Sequence, residues 1–130
     1  MANPNIVNAT TISGGSLGYH LTVTATTALM TVSAGQIVKI NSSICTNIHG
    51  TNAAALSLEI NGIAAGATGA VATNHLTTQV RIASTINVPA DDVLVVIDKP
   101  IYLMEGDVLR GGASAASVLE LFVSYEVISV

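Results

Sequence analysis

The chain has 130 residues and a mass of 13.2 kDa, enough for one domain with one core and too little for a second. Charged residues make up 9% of it and hydrophobic residues 50%, with a mean hydropathy of +0.63, which excludes disorder driven by charge. Four Lys plus Arg against eight Asp plus Glu leave a net charge of -4, so the surface cannot neutralise a run of phosphates and nucleic acid is not an expected partner.

Apolar residues recur with a period of two and β-branched residues are frequent, which predicts an all-β chain. Asn5 to Ile12 reads as a first strand closed by the turn Ser13-Gly14-Gly15-Ser16-Leu17-Gly18. Tyr19 to Ala25 alternates, with Leu21, Val23 and Ala25 on one face and His20, Thr22 and Thr24 on the other, and Ala28 to Val32 is its expected partner. Gln36 to Ile48 is the longest expected strand, with Val38, Ile40, Ile44 and Ile48 inward and Lys39, Asn41, Ser43, Cys45 and Asn47 outward.

Ala53 to Ile60 places Leu56, Leu58 and Ile60 inward and Ser57 and Glu59 outward, and Gln79 to Val88 repeats the pattern through Val80, Ile82, Ile86 and Val88. After the turn Pro89-Ala90-Asp91-Asp92, the unbroken apolar run Val93 to Ile97 predicts a central strand covered on both faces. Asp98-Lys99-Pro100 breaks that run. Ile101 to Met104 and Val108 to Arg110 then flank the turn Glu105-Gly106-Asp107. A loop over Gly111 to Ala116 leads to the last strand, Ser117 to Ile128, where Leu119, Leu121, Val123, Tyr125 and Val127 share a face. Eight or nine short antiparallel strands at regular spacing predict a β-sandwich of jelly-roll type, with Ile82, Val95 and Leu121 in its core.

Asn61 to Thr78 departs from this pattern. It is rich in Gly and Ala, too long for an ordinary hairpin loop, and is expected to project as an arm that orders against a neighbour. Neither this segment nor any other is a run of about 20 apolar residues, so no membrane-spanning helix is expected. Met1 to Asn5 has no basic n-region leading into an apolar stretch, and no secretory signal is expected.

Residues able to do chemistry are few and scattered. Cys45, the single cysteine, cannot form an internal disulfide, and on a strand it stands about 13 Å from His49, too far for one shared ion. His20 and His75 have no sequence partner and read as surface or interface imidazoles. Asp91, Asp92, Glu105 and Asp107 lie in consecutive turns near Asp98 and are the candidate oxygen ligands for a hard cation, although no D-x-[DN]-x-[DN]-G loop is present. The glycine-rich run Gly62 to Gly69 lacks the Lys-Ser or Lys-Thr of a phosphate loop, and Gly112 to Ala116 lacks the second glycine of a nucleophile elbow. Four aromatics, Tyr19, Tyr102, Phe122 and Tyr125, are too few for a stacking platform and read as packing or interface anchors. Neither a catalytic residue nor a cofactor is expected.

Several stretches carry a resemblance: the opening Met1-Ala2-Asn3-Pro4-Asn5-Ile6-Val7, the run Ala83 to Asp91, the run Leu94 to Lys99 continuing through Ile101-Tyr102-Leu103 to Glu105 to Arg110, and the ending Ser124 to Ser129. Together they resemble small virion structural proteins of tailed phages of the marine and cyanobacterial type. The resemblance implies a structural particle component, located in the virion and made in the host cytoplasm, with no catalytic residue. Joined to the low charge and the Thr- and Asn-rich strand faces, it leads to the expectation of a capsid decoration, or cement, protein that forms a trimer against the major capsid protein. A tail or neck component, or a displayed glycan- or calcium-binding module, is the alternative. The residues expected at the contacts are Asn3, Pro4, Asn5, Ile6 and Val7 at the N-terminus and Ile63, Val71, His75 and Leu76 in the arm.

Overall fold

A computed structural model describes residues 6–24, 27–61 and 79–130. Among these residues, one turn of 3-10 helix at Ile6–Asn8 is followed by nine strands: β1 (Thr11–His20), β2 (Ala28–Thr31), β3 (Gln36–Asn47), β4 (Ala54–Asn61), β5 (Gln79–Val88), β6 (Val93–Ile97), β7 (Ile101–Leu103), β8 (Val108–Ala113) and β9 (Leu119–Ser129). All pairings are antiparallel. One sheet has the order β1-β9-β3-β6, with β7 also on β3, and the other β2-β8-β4-β5.

This order is what results when one long antiparallel ribbon, folded at β4 and β5, wraps around a common core. Taken outward from that fold, β4 pairs with β5, β3 with β6 and β7, β2 with β8, and β1 with β9. Counting β6 and β7 as two halves of one strand gives the eight-stranded jelly roll expected from the strand spacing. Asp98, Lys99 and Pro100 form the break between the halves, since proline cannot donate to the ladder.

Leucines and β-branched residues from both sheets fill the space between them. Ile40, Leu56, Leu58, Leu103, Leu109 and Leu119 have no exposed surface, and Leu121 is 1% exposed. Two polar ties cross this space. The Tyr19 hydroxyl on β1 donates to the carbonyl of Leu29 on β2. Burial, and then the neighbouring Tyr125, raises the Tyr19 pKa above its usual value. Asn47, 1% exposed at the end of β3, donates to the carbonyls of Asn52 (3.0 Å) and Val88 (2.9 Å) and accepts the His49 amide (2.9 Å).

Several sequence expectations are corrected by backbone register. The glycines expected to turn at 13–18 lie inside β1, which runs in unbroken register against β9, and the ring of Tyr125 lies over Gly15. The strand expected over Tyr19 to Ala25 stops at His20. Leu21 is buried, Val23 is 62% exposed, and Ala25 lies outside the described residues. β2 pairs with β8 rather than with that segment.

A bulge between Ile40 and Ser42 shifts the side-chain alternation of β3 by one. Val38 and Ile40 face inward as expected, but beyond the bulge Ser43, Cys45 and Asn47 are buried while Ile44 and Ile48 are exposed. In β5, register shifts opposite Ser57 and next to Leu58 do the same, burying Ala83 and Val88 and leaving Val80 and Ile86 outside, with Thr85 held at φ 49°. Glu59, expected outward and outward in strand parity, is only 6% exposed. β6 is an edge strand rather than a central one. Its only partner among the described residues is β3, and Val95 is 57% exposed. Gly111 to Ala113, expected in a loop, complete β8. The arm expected at 61–78 lies, after Asn61, outside the described residues.

Candidate assembly surface

The residues singled out for cation binding are held apart. Val93, next to Asp92, is paired with Thr46, and Leu103, two residues before Glu105, is paired with Val38. Eight residues of β3 separate these positions, about 25 Å at 3.3 Å per residue. Three of the four carboxylates are engaged by backbone amides: Asp92 by Val93 (2.8 Å), Glu105 by Gly35 (3.2 Å) and Asp107 by Met104 (2.9 Å). Asp91 is exposed in a left-handed turn conformation at φ 56°. Among the described residues no group of three or more His, Cys, Asp and Glu gathers in a geometry that could hold a metal ion.

Of the expected contact residues, only Ile6 and Val7 are among the described residues. Asn3, Pro4 and Asn5, and Ile63, Val71, His75 and Leu76, lie outside the described residues. Ile6 opens the 3-10 turn, and Val7 within it is 89% exposed. Cys45 is fully buried between the sheets, where loss of water pushes its thiol up to about 11. His49 accepts the amides of Thr51 and Asn52 on Nδ1, an ordinary loop role.

The structure does assemble a surface on the outer face of the β1-β9-β3-β6 sheet. Gly18, Phe122, Ile44 and Val95 stand directly opposite one another on four adjacent strands. Phe122 is 46% and Ile44 37% exposed, so with Val95 they make an uncharged apolar row across the sheet. Gly18 leaves the row open at one end, since nothing lies within 4 Å of where its Cβ would be. The next row, His20, Glu120, Thr46 and Val93, is mixed, and its His20 Nε2 lies 3.6 Å from a Glu120 oxygen. Between the two rows is an open depression of about 370 Å³ lined by Gly18, His20, Thr46, Glu120 and Phe122. Lys39 and Glu126, 4.0 Å apart, flank the face on its other side.

Phe122 is among the aromatics that the sequence offers as packing or interface anchors, and alternation points it outward, because Leu121 and Val123 on either side of it face in. Ile44 could not be read this way, because the bulge that turns it outward has no signature in the alternation.

No family model and no curated protein matches the sequence. Among solved structures, the fold is similar to that of a protein from Bacillus endospore appendages, described as a family of disulfide-linked pili. The TM-score is 0.51 at 10% identity, covering 92% of this chain and 88% of that one. The infectious bursal disease virus VP2 subviral particle aligns with a TM-score of 0.38 and 12% identity, over 94% of this chain and 33% of that chain. At such identities the likeness to the pilus protein shows a shared jelly-roll architecture.

Proposed function

We propose that this chain is a non-enzymatic structural subunit of a virion, a decoration protein that reinforces a tailed-phage head by forming trimers against the major capsid protein. The observation that carries this reading is the exposed row Val95, Ile44 and Phe122, set on a rigid sheet in a chain with few charges. Aromatic and aliphatic side chains of this kind anchor interfaces, whereas catalysis needs titratable groups converging in a cleft. The fold likeness to a pilus protein supports use of this sandwich as a repeated building block. Copies of this chain would join by packing and hydrogen bonds, because its one cysteine is buried and cannot reach a neighbour.

Cryo-microscopy of particles carrying the protein tests the proposal. Density for the sandwich over the joints of the head shell is the expected result, and density confined to the tail overturns it. The second reading, a tail or neck component, is favoured by the pilus likeness, since a pilus is a filament of repeated subunits. A displayed calcium-binding module is less favoured, because Asp91 and Asp92 lie in a turn near one end of β3 and Glu105 and Asp107 in a turn near the other.

A further inference from the structure

Each sheet of the sandwich has two edges, and three of the four carry features that discourage strand addition. At one edge of the first sheet, β6 and β7 are five and three residues long and are separated by Asp98, Lys99 and Pro100. In the second sheet, β2 is four residues long with a register shift, and β5 is interrupted by two shifts and by Thr85 at positive φ. Shortness, charge, proline and bulges are the means by which natural sheets protect their edges.

β1 has none of these. It is ten residues long, keeps one register along its whole length, and contains no proline, no Lys, Arg, Asp or Glu, and three glycines. The Leu21 amide donates to the Leu119 carbonyl in the same register, so the odd-numbered residues of β1 exchange hydrogen bonds with β9. The even-numbered residues Ile12, Gly14, Ser16, Gly18 and His20 therefore aim their N–H and C=O groups away from the sheet. Among the described residues no other strand pairs with them.

We infer that the β1 edge is a pairing site for the β1 edge of a second copy of this chain, forming one continuous antiparallel sheet across a two-fold axis through Ser16. The sequence of β1 is complementary to itself in that register. Ile12 falls opposite the partner's His20, Gly14 opposite the partner's Gly18, and Ser16 opposite the partner's Ser16. All five outward-aimed residues then find partners, giving about ten backbone hydrogen bonds, and no like charges meet. The small side chains at 13–16 and 18 let the two backbones approach without obstruction. This inference concerns the assembly proposed above but does not need the trimer. A shell built on three-fold units also has two-fold contacts between them, and β1 supplies a contact of that kind.

Sedimentation of the full-length chain up to about 1 mM, a range that reaches millimolar dissociation constants, tests it. The expected wild-type species is two copies if trimers do not form, and six copies or a larger multiple of three if they do, since each trimer carries three β1 edges. S16K places like charges opposite each other across the axis and is expected to weaken the pairing at least about tenfold, leaving trimers or monomers. S16D does the same, and an equal mixture of S16K and S16D restores the edge-paired species. Ser16 is exposed, so both variants are expected to keep the wild-type circular dichroism spectrum. A wild-type chain that remains at one or three copies, or a larger species unaffected by S16K, overturns the inference. Dimers split by S16K uphold the edge contact and remove the trimer. Trimers insensitive to S16K do the reverse.

Discussion

Ile44 on β3 stands directly opposite Phe122 on β9, and both side chains leave the sandwich on its outer face. An alternating strand would have placed Ile44 on the core side with Val38 and Ile40. The bulge at Asn41 exchanges it for Cys45, so a small thiol fills the core and a large hydrocarbon faces out. Partly exposed side chains contribute little to folding, and the pair is available for contacts between subunits.

Replacing this pair should therefore separate folding from assembly. Phe122→Ser and Ile44→Thr are expected to change unfolding free energy by no more than about 1 kcal/mol. Attachment to particles should fall by tenfold or more for Phe122→Ser, because an aromatic anchor carries a large share of interface energy. Urea denaturation and particle binding measured on the same preparations check both halves. A variant that unfolds early and still binds contradicts the assignment.

Leu121 and Val95 provide the matching test of the core. Both were expected to be buried, yet Leu121 is 1% and Val95 57% exposed. Leu121→Ala should cost about 2–5 kcal/mol by opening a cavity between the sheets, whereas Val95→Ala on an edge strand should cost under about 1 kcal/mol. Thermal and urea unfolding of the two variants gives the comparison directly.

The contrast between these residues shows what the sequence makes legible. Alternation located nearly every strand and the inward row Leu119, Leu121 and Val123, because a strand with one buried face writes its period into the chain. It failed at Val93 to Ile97, where apolar residues on both faces describe an edge with an exposed apolar side as well as they describe a buried centre. It failed again at Ile44 and Ile86, because a bulge changes parity without changing composition. The glycines of β1 read as a turn because the use shown by Gly15, room for the ring of Tyr125, depends on a strand far away in sequence. The outer-face row shares this property. Its members come from β1, β9, β3 and β6, and only the register brings them together.

Gly15 and Gly18, three residues apart on β1, should respond oppositely to alanine. A Cβ at Gly15 would lie 2.7 Å from Cζ of Tyr125, while a Cβ at Gly18 would meet nothing within 4 Å. Gly18→Ala is expected to stabilise by about 0.5–1 kcal/mol through the lost freedom of the unfolded chain. At Gly15 the displaced ring offsets that gain, and a net loss of about 1 kcal/mol is expected. The melting temperatures of the two variants relative to wild type decide it, and a rise for Gly15→Ala would show that the Tyr125 ring moves aside without cost.

Asn47→Ala removes a side chain that holds the end of β3 against the Val88 carbonyl of the opposite sheet. Two carbonyls and one amide lose their partner in a buried site, and a loss of about 2–3 kcal/mol is expected. Asn47→Asp keeps the acceptor for the His49 amide but places a carboxylate against two carbonyl oxygens, so it should be at least as damaging. Hydrogen exchange at the His49 amide, whose acceptor Asn47→Ala deletes and Asn47→Asp keeps, distinguishes the two effects.

Cys45 makes stability depend on alkaline pH. In the unfolded chain a thiol ionises near 9.0, whereas burial between the sheets moves Cys45 to about 11. Below pH 9 both states hold the proton and stability is unaffected. Above it the unfolded state releases the proton first, so unfolding is favoured increasingly with pH until the folded thiol also ionises near 11. Two pH units correspond to roughly 2–3 kcal/mol at the end of that range. Tyr19, also raised by burial, adds a loss of the same sign at higher pH. Urea midpoints at pH 8 and pH 10.5 should fall for wild type and fall less for Cys45→Ala, which starts lower because its cavity costs stability at every pH. The same burial predicts that a thiol reagent at pH 8 leaves the folded chain unmodified and labels it on unfolding. Prompt labelling of the native protein would place Cys45 at the surface and restore a disulfide between copies as a means of assembly.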